Sequence, residues 1–319
     1  LEIQPSSMAD DAGDRLRSMR PRRVSARRFQ FALEPYLYIA PSVVLIVLIV
    51  LIPLVVGLSY AFHDVSLLNP ASGEFVGLDQ FRQLAADDNF WNALRNTVTW
   101  TVMSVSLQFL FGLILALRLS RPFPGRALVQ ALTFLPWAIP SYLTGLDWAW
   151  LFNPVVGPLP HWLHALGLMS TPVNVLSDPQ HALWGPVIAN IWWGIPFFAI
   201  TLLASLQSIP PEVYEAAAID GARAWKQFRH ITLPLLAPTI AITVLLRTVW
   251  VANFADLIVV MTHGGPADST QTLSSYIFSQ AFERLDFGYA SAVAAVLLVL
   301  LLAYAMALMA LRRLVKRRV

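Results

Sequence analysis

The sequence predicts an all-α membrane protein of six spanning helices with both ends in the cytoplasm. Three observations predict it. The chain is 57% hydrophobic and 13% charged over 319 residues, with mean hydropathy +0.60, whereas soluble domains carry about a quarter charged residues. Apolar runs recur at residues 35–61, 94–118, 127–151, 182–208, 235–262 and 287–311, each near the roughly 20 residues a helix needs to cross the hydrocarbon core. With the N-terminus inside, 18 of the 22 Lys and Arg residues fall on the same side, and such an excess marks the cytoplasmic face.

Residues 1–34 hold Arg15, Arg17, Arg20, Arg22, Arg23, Arg27 and Arg28 without an apolar period. They read as a solvated basic tail near anionic headgroups. Leu1–Ser7 precede an internal Met8 and read as a cloning remnant or an upstream extension. The first apolar run is too long for a cleaved signal peptide and lacks a small-residue cleavage site. Prolines 41, 53, 136, 140, 186 and 196 lie in or beside the spans, which predicts kinked helices around a cavity rather than a straight bundle. The outer segments 62–93 and 152–181 are too short for a folded domain, though each has room for an interfacial helix. Asp87-Asp88 reads as a solvated or helix-capping pair, and His161 with His164 as an interfacial turn without a third metal ligand. A pI near 9.4 suggests nucleic acid only until the basic residues are placed. They are spread over one membrane face, which argues against such a partner and for membrane lipid. Zero cysteines exclude disulfides and thiolate metal sites.

Polar groups inside the bilayer are expensive and therefore informative. Arg247, Asn253 and Asp256 interrupt the fifth run, and each of the two charges needs a partner on another helix, or water in a pathway. Nine residues put Arg247 and Asp256 about 180° and roughly 13 Å apart on one helix, so they are not a simple intrahelical pair. Asp147 reads as snorkelling to the interface. Asn190, Trp192, Trp193, Gly194 and Pro196 form a polar-aromatic patch in the fourth run, and Trp137, Pro140 and Ser141 another in the third.

Between the fourth and fifth runs lies a hydrophilic island, Pro211 to Pro234, PEVYEAAAIDGARAWKQFRHITLP. It reads as two short helices with a break. Pro211 suits a first helical position, where its missing N–H would lack a partner anyway, and Glu212 sits where the helix dipole favours an anion. Val213, Ala216, Ala217 and Ala218 give a narrow face that a partner can approach closely. Gly221 supplies the bend, a basic segment follows, and Pro234 restarts the chain into the bilayer.

Glu215-Ala216-Ala217, three residues, Gly221, nine residues, then Ile231, Leu233 and Pro234 fill every position of the signature E-A-A-x3-G-x9-I-x-L-P. The island resembles the EAA loop of ABC-importer permeases. Gly77-Leu78-Asp79-Gln80-Phe81 and Phe90-Trp91-Asn92-Ala93-Leu94-Arg95-Asn96-Thr97 resemble patterns of sugar-importer permeases, with Asp79-Gln80 a mild departure. Thr262-His263-Gly264-Gly265-Pro266 with Thr270 is similar to the TxGGPxxxT segment of the first permease of a sugar-importer pair. The likeness runs from Pro35 to Ser291.

The resemblance implies a type I ABC-importer permease of the bacterial inner membrane, with residues 35–319 as one six-helix domain. It implies that the loop at 209–234 docks into a cytoplasmic ATPase through Glu215, Ala216, Ala217, Asp220, Gly221, Ile231, Leu233 and Pro234. In maltose-type permeases the sugar contacts come from the third to fifth core helices. The matching positions are Trp137, Ser141, Asn190, Trp193, Gly194, Phe197 and Asn253, with Asp256 in the same fifth-helix motif. Aromatic rings stack on the C–H faces of a pyranose while amides and carboxylates read its hydroxyls. Trp137, Phe197 and Phe254 stand where that family has tyrosine or asparagine, so a direct hydrogen bond is lost at each. An Arg- and Ala-rich composition and general likeness make the chain similar to mycobacterial trehalose permeases. A glycerol-phosphate permease is the alternative, although only Arg247 offers positive charge at depth.

The implied partners are an unlike second permease (a heterodimer), two ATP-binding subunits and an extracytoplasmic sugar-binding protein. The chain carries no G-x-x-x-x-G-K-[ST], so it has no phosphate-cradling loop. It is expected to be non-catalytic and to bind no cofactor, with ATP and Mg held by the partner ATPase. An ion-coupled carrier would instead titrate Asp147 or Asp256, and copurification with a nucleotide-binding subunit separates the two.

Overall fold

A computed structural model describes residues 36, 38–69, 73–168 and 174–316; the tail read over residues 1–34, including Leu1–Ser7, lies outside them. Helices dominate, and among the described residues the only extended pairings are two isolated bridges, His63 with Phe75 and Ser66 with Asp286. The first of the chain's two units ends at Val56, inside the apolar helix α1 (Tyr38–Tyr60). A π-turn at Val47–Leu51 precedes Pro53, as expected where a proline ring displaces the carbonyl four residues back.

The second unit, Gly57–Val319, contains α2 (Asp79–Ala86), α3 (Asp88–Leu119), α4 (Arg126–Ala138), α5 (Ser141–Leu151), α6 (Pro158–Ala165), α7 (Trp184–Gln207), α8 (Pro211–Ile219), α9 (Ala224–Ala252), α10 (Asp256–Thr262), α11 (Leu273–Phe278) and α12 (Phe287–Lys316). Five described helices, namely α1, α3, α7, α9 and α12, are long and apolar enough to cross a membrane. The short helices expected in the outer segments are α2 and α6.

Two expected spans are corrected. The run at 127–151 is broken between α4 and α5, where Ile139 is extended (φ −87°, ψ 128°). Pro140 enforces this, because its ring clashes with a helical preceding residue. A break at membrane depth strands backbone carbonyls that lipid cannot satisfy. Trp193 answers it, donating its indole N–H to the Ile139 carbonyl at 3.1 Å. The run at 235–262 is broken between α9 and α10. There the Asn253 amide donates to the Val249 carbonyl at 2.9 Å, competing locally with the helical ladder. Trp100 Nε1 takes the Val251 carbonyl at 2.9 Å and Ser274 Oγ that of Asn253 at 2.8 Å, satisfying the orphans of the helix end.

The main core joins Trp100, Val105 and Leu113 of α3 to Val187, Phe198 and Leu202 of α7, with Leu236 and Val251 of α9 and Leu257 and Ile258 of α10. Backbones approach closely at Gly112, where a Cβ would lie 2.4 Å from Phe198 Cβ. A second cluster packs Leu84, Phe90 and Ala93 on Leu273, Tyr276, Tyr289 and Val293. Polar bonds tie its edge to the Thr262–Thr272 turn: Asn92 Nδ2 reaches the Asp268 carbonyl at 2.7 Å, Asn96 Nδ2 the Gln271 carbonyl at 2.9 Å, and Thr97 Oγ1 accepts Leu273 N–H at 2.8 Å. The FWNALRNT and TxGGPxxxT segments therefore meet in space.

Asp87 caps α3, accepting Asn89 N–H at 2.9 Å, and also accepts the phenols of Tyr276 at 2.5 Å and Tyr289 at 2.6 Å. Burial pushes its carboxyl pKa up, but the two phenols and the Asn89 and Phe90 amides outweigh burial and hold it below the ordinary 3.8. A carboxyl depressed on folding contributes stability that is complete above its unfolded pKa and is lost as pH falls through its folded value. Asp87→Asn is therefore expected to lower the thermal unfolding midpoint of the purified protein at pH 7. The difference from wild type should shrink as pH falls below 3.8; equal midpoints at pH 7 would show that the charge contributes nothing.

Candidate functional site

The breaks at Ile139–Pro140 and at Asn253 bring α4, α5, α9 and α10 together beside α7. Ser141, the first residue of α5, donates its hydroxyl to Asp256 Oδ2 at 2.5 Å, across 115 residues of sequence. This is the cross-helix partner that Asp256 requires. Because α9 ends at Ala252, Arg247 and Asp256 do not share a helix, and the offset calculated for a single helix does not apply.

Next to this pair stands a group of rings. Trp193 stacks on Phe254 at 5.3 Å and 10°, and Trp250 lies 6.1 Å from Trp193, 6.4 Å from Phe197 and 6.4 Å from Trp137. Trp137 and Trp250 keep 37% and 43% of their surface exposed, and Asn253 and Asp256 are exposed with them. Trp137, Trp250, Asn253 and Asp256 thus make up an open face, with the half-buried Ser141 at its edge against Asp256. The remaining expected residues lie behind it. Asn190, Trp193 and Gly194 are buried and Phe197 is half-buried, so they shape the face from inside.

Arg247 lies under the rings, 1% exposed. Its Nε donates to Gln108 Oε1 at 2.7 Å, and Gln108 Nε2 in turn donates to the Asn190 carbonyl at 2.8 Å. The guanidinium carbon sits 5.4 Å from the Trp193 ring, 5.8 Å from Phe197 and 5.1 Å from Trp250.

The hydrophilic island also takes shape. α8 opens on Pro211 with Glu212 in its first turn. It closes with Ala222 N–H on the Ala217 carbonyl at 2.8 Å and Gly221 N–H on the Ala218 carbonyl at 3.0 Å, Gly221 adopting φ +77°. That pair of bonds is a Schellman ending, which requires a left-handed residue. Pro234 does not restart the chain. α9 already begins at Ala224, and a π-turn at Phe228–Thr232 absorbs the proline, as at Pro53. Tyr214 OH pairs with Thr232 Oγ1 at 3.1 Å and Gln227 Nε2 donates to the Ala222 carbonyl at 3.0 Å, tying α8 to the root of α9. Glu215, Ala216, Asp220 and Gly221 face solvent, Ala217 and Ile231 are half-buried, and Leu233 and Pro234 are exposed. Two bare apolar side chains accompany them, Ile219 at 88% exposure and Trp225 at 69%.

Residues 108–319 match the family described as binding-protein-dependent transport system inner membrane component. The trehalose/maltose transport system permease protein MalF of Thermococcus litoralis is 34% identical over 281 residues, covering 88% of this chain and 94% of that protein. The chain belongs to the permease family of sugar ABC importers. The sn-glycerol-3-phosphate transport system permease protein UgpA of Agrobacterium fabrum is 32% identical over 275 residues, 84% of this chain and 91% of its own length. Among solved structures, a bacterial ABC transporter that imports the acidic polysaccharide alginate superposes with TM-score 0.77 at 25% identity, over 90% of this chain and 98% of the other.

The permease is thus a multi-pass inner-membrane protein whose homologues are non-catalytic membrane components. Sequence reasoning missed Gln108 and Trp250. Gln108 carried one available signal, an uncharged but strongly polar amide in the middle of an apolar run, which hydrocarbon tolerates only with a partner.

Proposed function

We propose that this permease moves a neutral, hydroxyl-rich sugar of disaccharide size, of the trehalose and maltose class, along the face formed by Trp137, Ser141, Trp250, Asn253 and Asp256. The observation that carries this reading is an exposed carboxylate, oriented by Ser141 at 2.5 Å, beside exposed indole rings. Indoles stack on sugar C–H faces, and a carboxylate accepts from sugar hydroxyls through charge-assisted bonds. The same carboxylate repels a phosphate ester, and Arg247, which would attract one, is enclosed behind the rings. In this reading a second, unlike permease closes the open side and a sugar-binding protein delivers the solute from outside. Two ATPase subunits, which hold ATP and Mg, grip α8 through Glu215, Ala216, Ala217, Asp220 and Gly221. Ile231, Leu233 and Pro234 fix the root of α9, so that motion at α8 is passed to the spanning helices.

Uptake by the assembled transporter in proteoliposomes tests the assignment, with trehalose, maltose and sn-glycerol-3-phosphate compared. The sugars are expected to be carried and the phosphate ester refused. Asp256→Ala is expected to lower sugar uptake about tenfold or more, the equivalent of one charged hydrogen bond of roughly 1.5–3 kcal/mol, while the complex still assembles. Full uptake in that variant makes Asp256 structural; preference for the phosphate ester overturns the reading.

A further inference from the structure

We propose that Arg247 is the positioning residue of the stacking face, holding Trp193, Phe197 and Trp250 from behind by its charge without meeting the solute. The proposal rests on the sugar-stacking reading of that face. Three helices converge on this guanidinium. From α3, Gln108 accepts its Nε at 2.7 Å and is itself anchored to the Asn190 carbonyl. From α7, Gly194 makes room, since a Cβ there would lie 2.4 Å from Arg247 Nη2 and 2.3 Å from Gln108 Cδ. From α9, Trp250 sits three residues on and turns its ring to within 5.1 Å of the charge.

The buried cation has no carboxylate partner among the described residues, and its Nη1 and Nη2 have no hydrogen-bond partner there. An arginine placed only to fill volume would be replaced with advantage by an apolar side chain, because enclosing an unpaired charge is unfavourable. What compensates here is the negative face of three rings, an attraction that strengthens when water is excluded. The attraction is mutual. A cation fixed by Gln108 restricts the rings to one orientation, and a platform already ordered binds its ligand without the entropy loss of ordering it.

Arg247→Met keeps the length and removes the charge. In the assembled transporter it is expected to raise the KM for uptake about tenfold while maximal uptake stays within about twofold, the pattern of lost ground-state binding. The same change in a Trp250→Ala background should raise KM little further, since charge and ring act as one unit. A wild-type KM in Arg247→Met, a fall confined to maximal uptake, or additive effects in the double variant overturns the proposal. If Arg247→Met fails to assemble, Arg247→Lys decides, because lysine keeps the charge but not the planar fork that Gln108 orients. Recovery of that variant with a raised KM supports positioning; recovery with wild-type KM, or no recovery, overturns it. Wild-type transporter is first assayed on the solute panel. Should the carried solute not be a neutral sugar, the functional reading fails by itself, and the variants are compared on whichever solute the wild type carries.

Discussion

Gly221→Val is expected to uncouple the transporter. The glycine has φ +77° and its missing Cβ would meet nothing within 4 Å, so the constraint is conformational and not steric crowding. A β-carbon in the left-handed region costs about 1–2 kcal/mol, and branching at that carbon adds to it. A penalty of this size changes a local equilibrium roughly 5–30-fold. The Schellman ending of α8 then opens, and the spacing between Glu215 and the root of α9 is no longer set. Uptake should fall by that factor, with reduced recovery of the ATPase on the purified permease. Gly221→Asn should retain most activity, because asparagine tolerates the left-handed region. Equal uptake in the valine variant and wild type would remove the case for α8 as the mechanical joint.

The second large effect is expected at Gly112, where α3 packs on α7 in the main core. A Cβ there would lie 2.4 Å from Phe198 Cβ, 3.1 Å from the Ala199 nitrogen and 3.2 Å from the Ile195 oxygen. Two of these atoms are backbone and the third is a β-carbon, so none can swing aside. Gly112→Leu must push α3 and α7 apart along the centre of the main core, and overpacking of this kind costs typically about 1–3 kcal/mol. Expression of folded transporter, followed by size exclusion in detergent, should drop severely. A monodisperse peak at wild-type yield would mean that the two helices are not packed as described. The contrast with Gly194 is instructive. There the nearest atoms are the ends of Gln108 and Arg247, which belong to the site, and so crowding would disturb the rings before it disturbs the fold.

Much of the architecture was legible because burial in lipid writes itself into local composition. The spans near 35–61, 94–118, 182–208 and 287–311 correspond to α1, α3, α7 and α12, since each is a single apolar run with polar ends. The helix at Pro211–Ile219 was equally plain from Pro211, Glu212 and Gly221, whose roles depend only on residues within a few positions. The interruptions were harder to see. Apolar sequence continues through Ile139, and Asn253 and Asp256 read equally well as polar groups inside one continuous span, so hydropathy does not distinguish a break that is stabilised from elsewhere, by Trp193 in one case and by Trp100 and Ser274 in the other.

The candidate site divides in the same way. Trp137, Ser141, Asn190, Trp193, Asn253 and Asp256 stood out as polar or aromatic residues in apolar runs, but the separation of Asn190 and Trp193 into a buried support behind the others did not. Nor did the pairing of Gln108 with Arg247 across 139 residues, or of Ser141 with Asp256. By itself the sequence determined which segments are apolar enough to enter the bilayer and where a hydrophilic island with a proline-led helix interrupts them, because both are settled by the transfer of short segments between water and lipid. Only the tertiary structure decided which polar groups meet inside, because in hydrocarbon a donor must find its acceptor on whichever helix packing brings near, and sequence distance has no bearing on that choice.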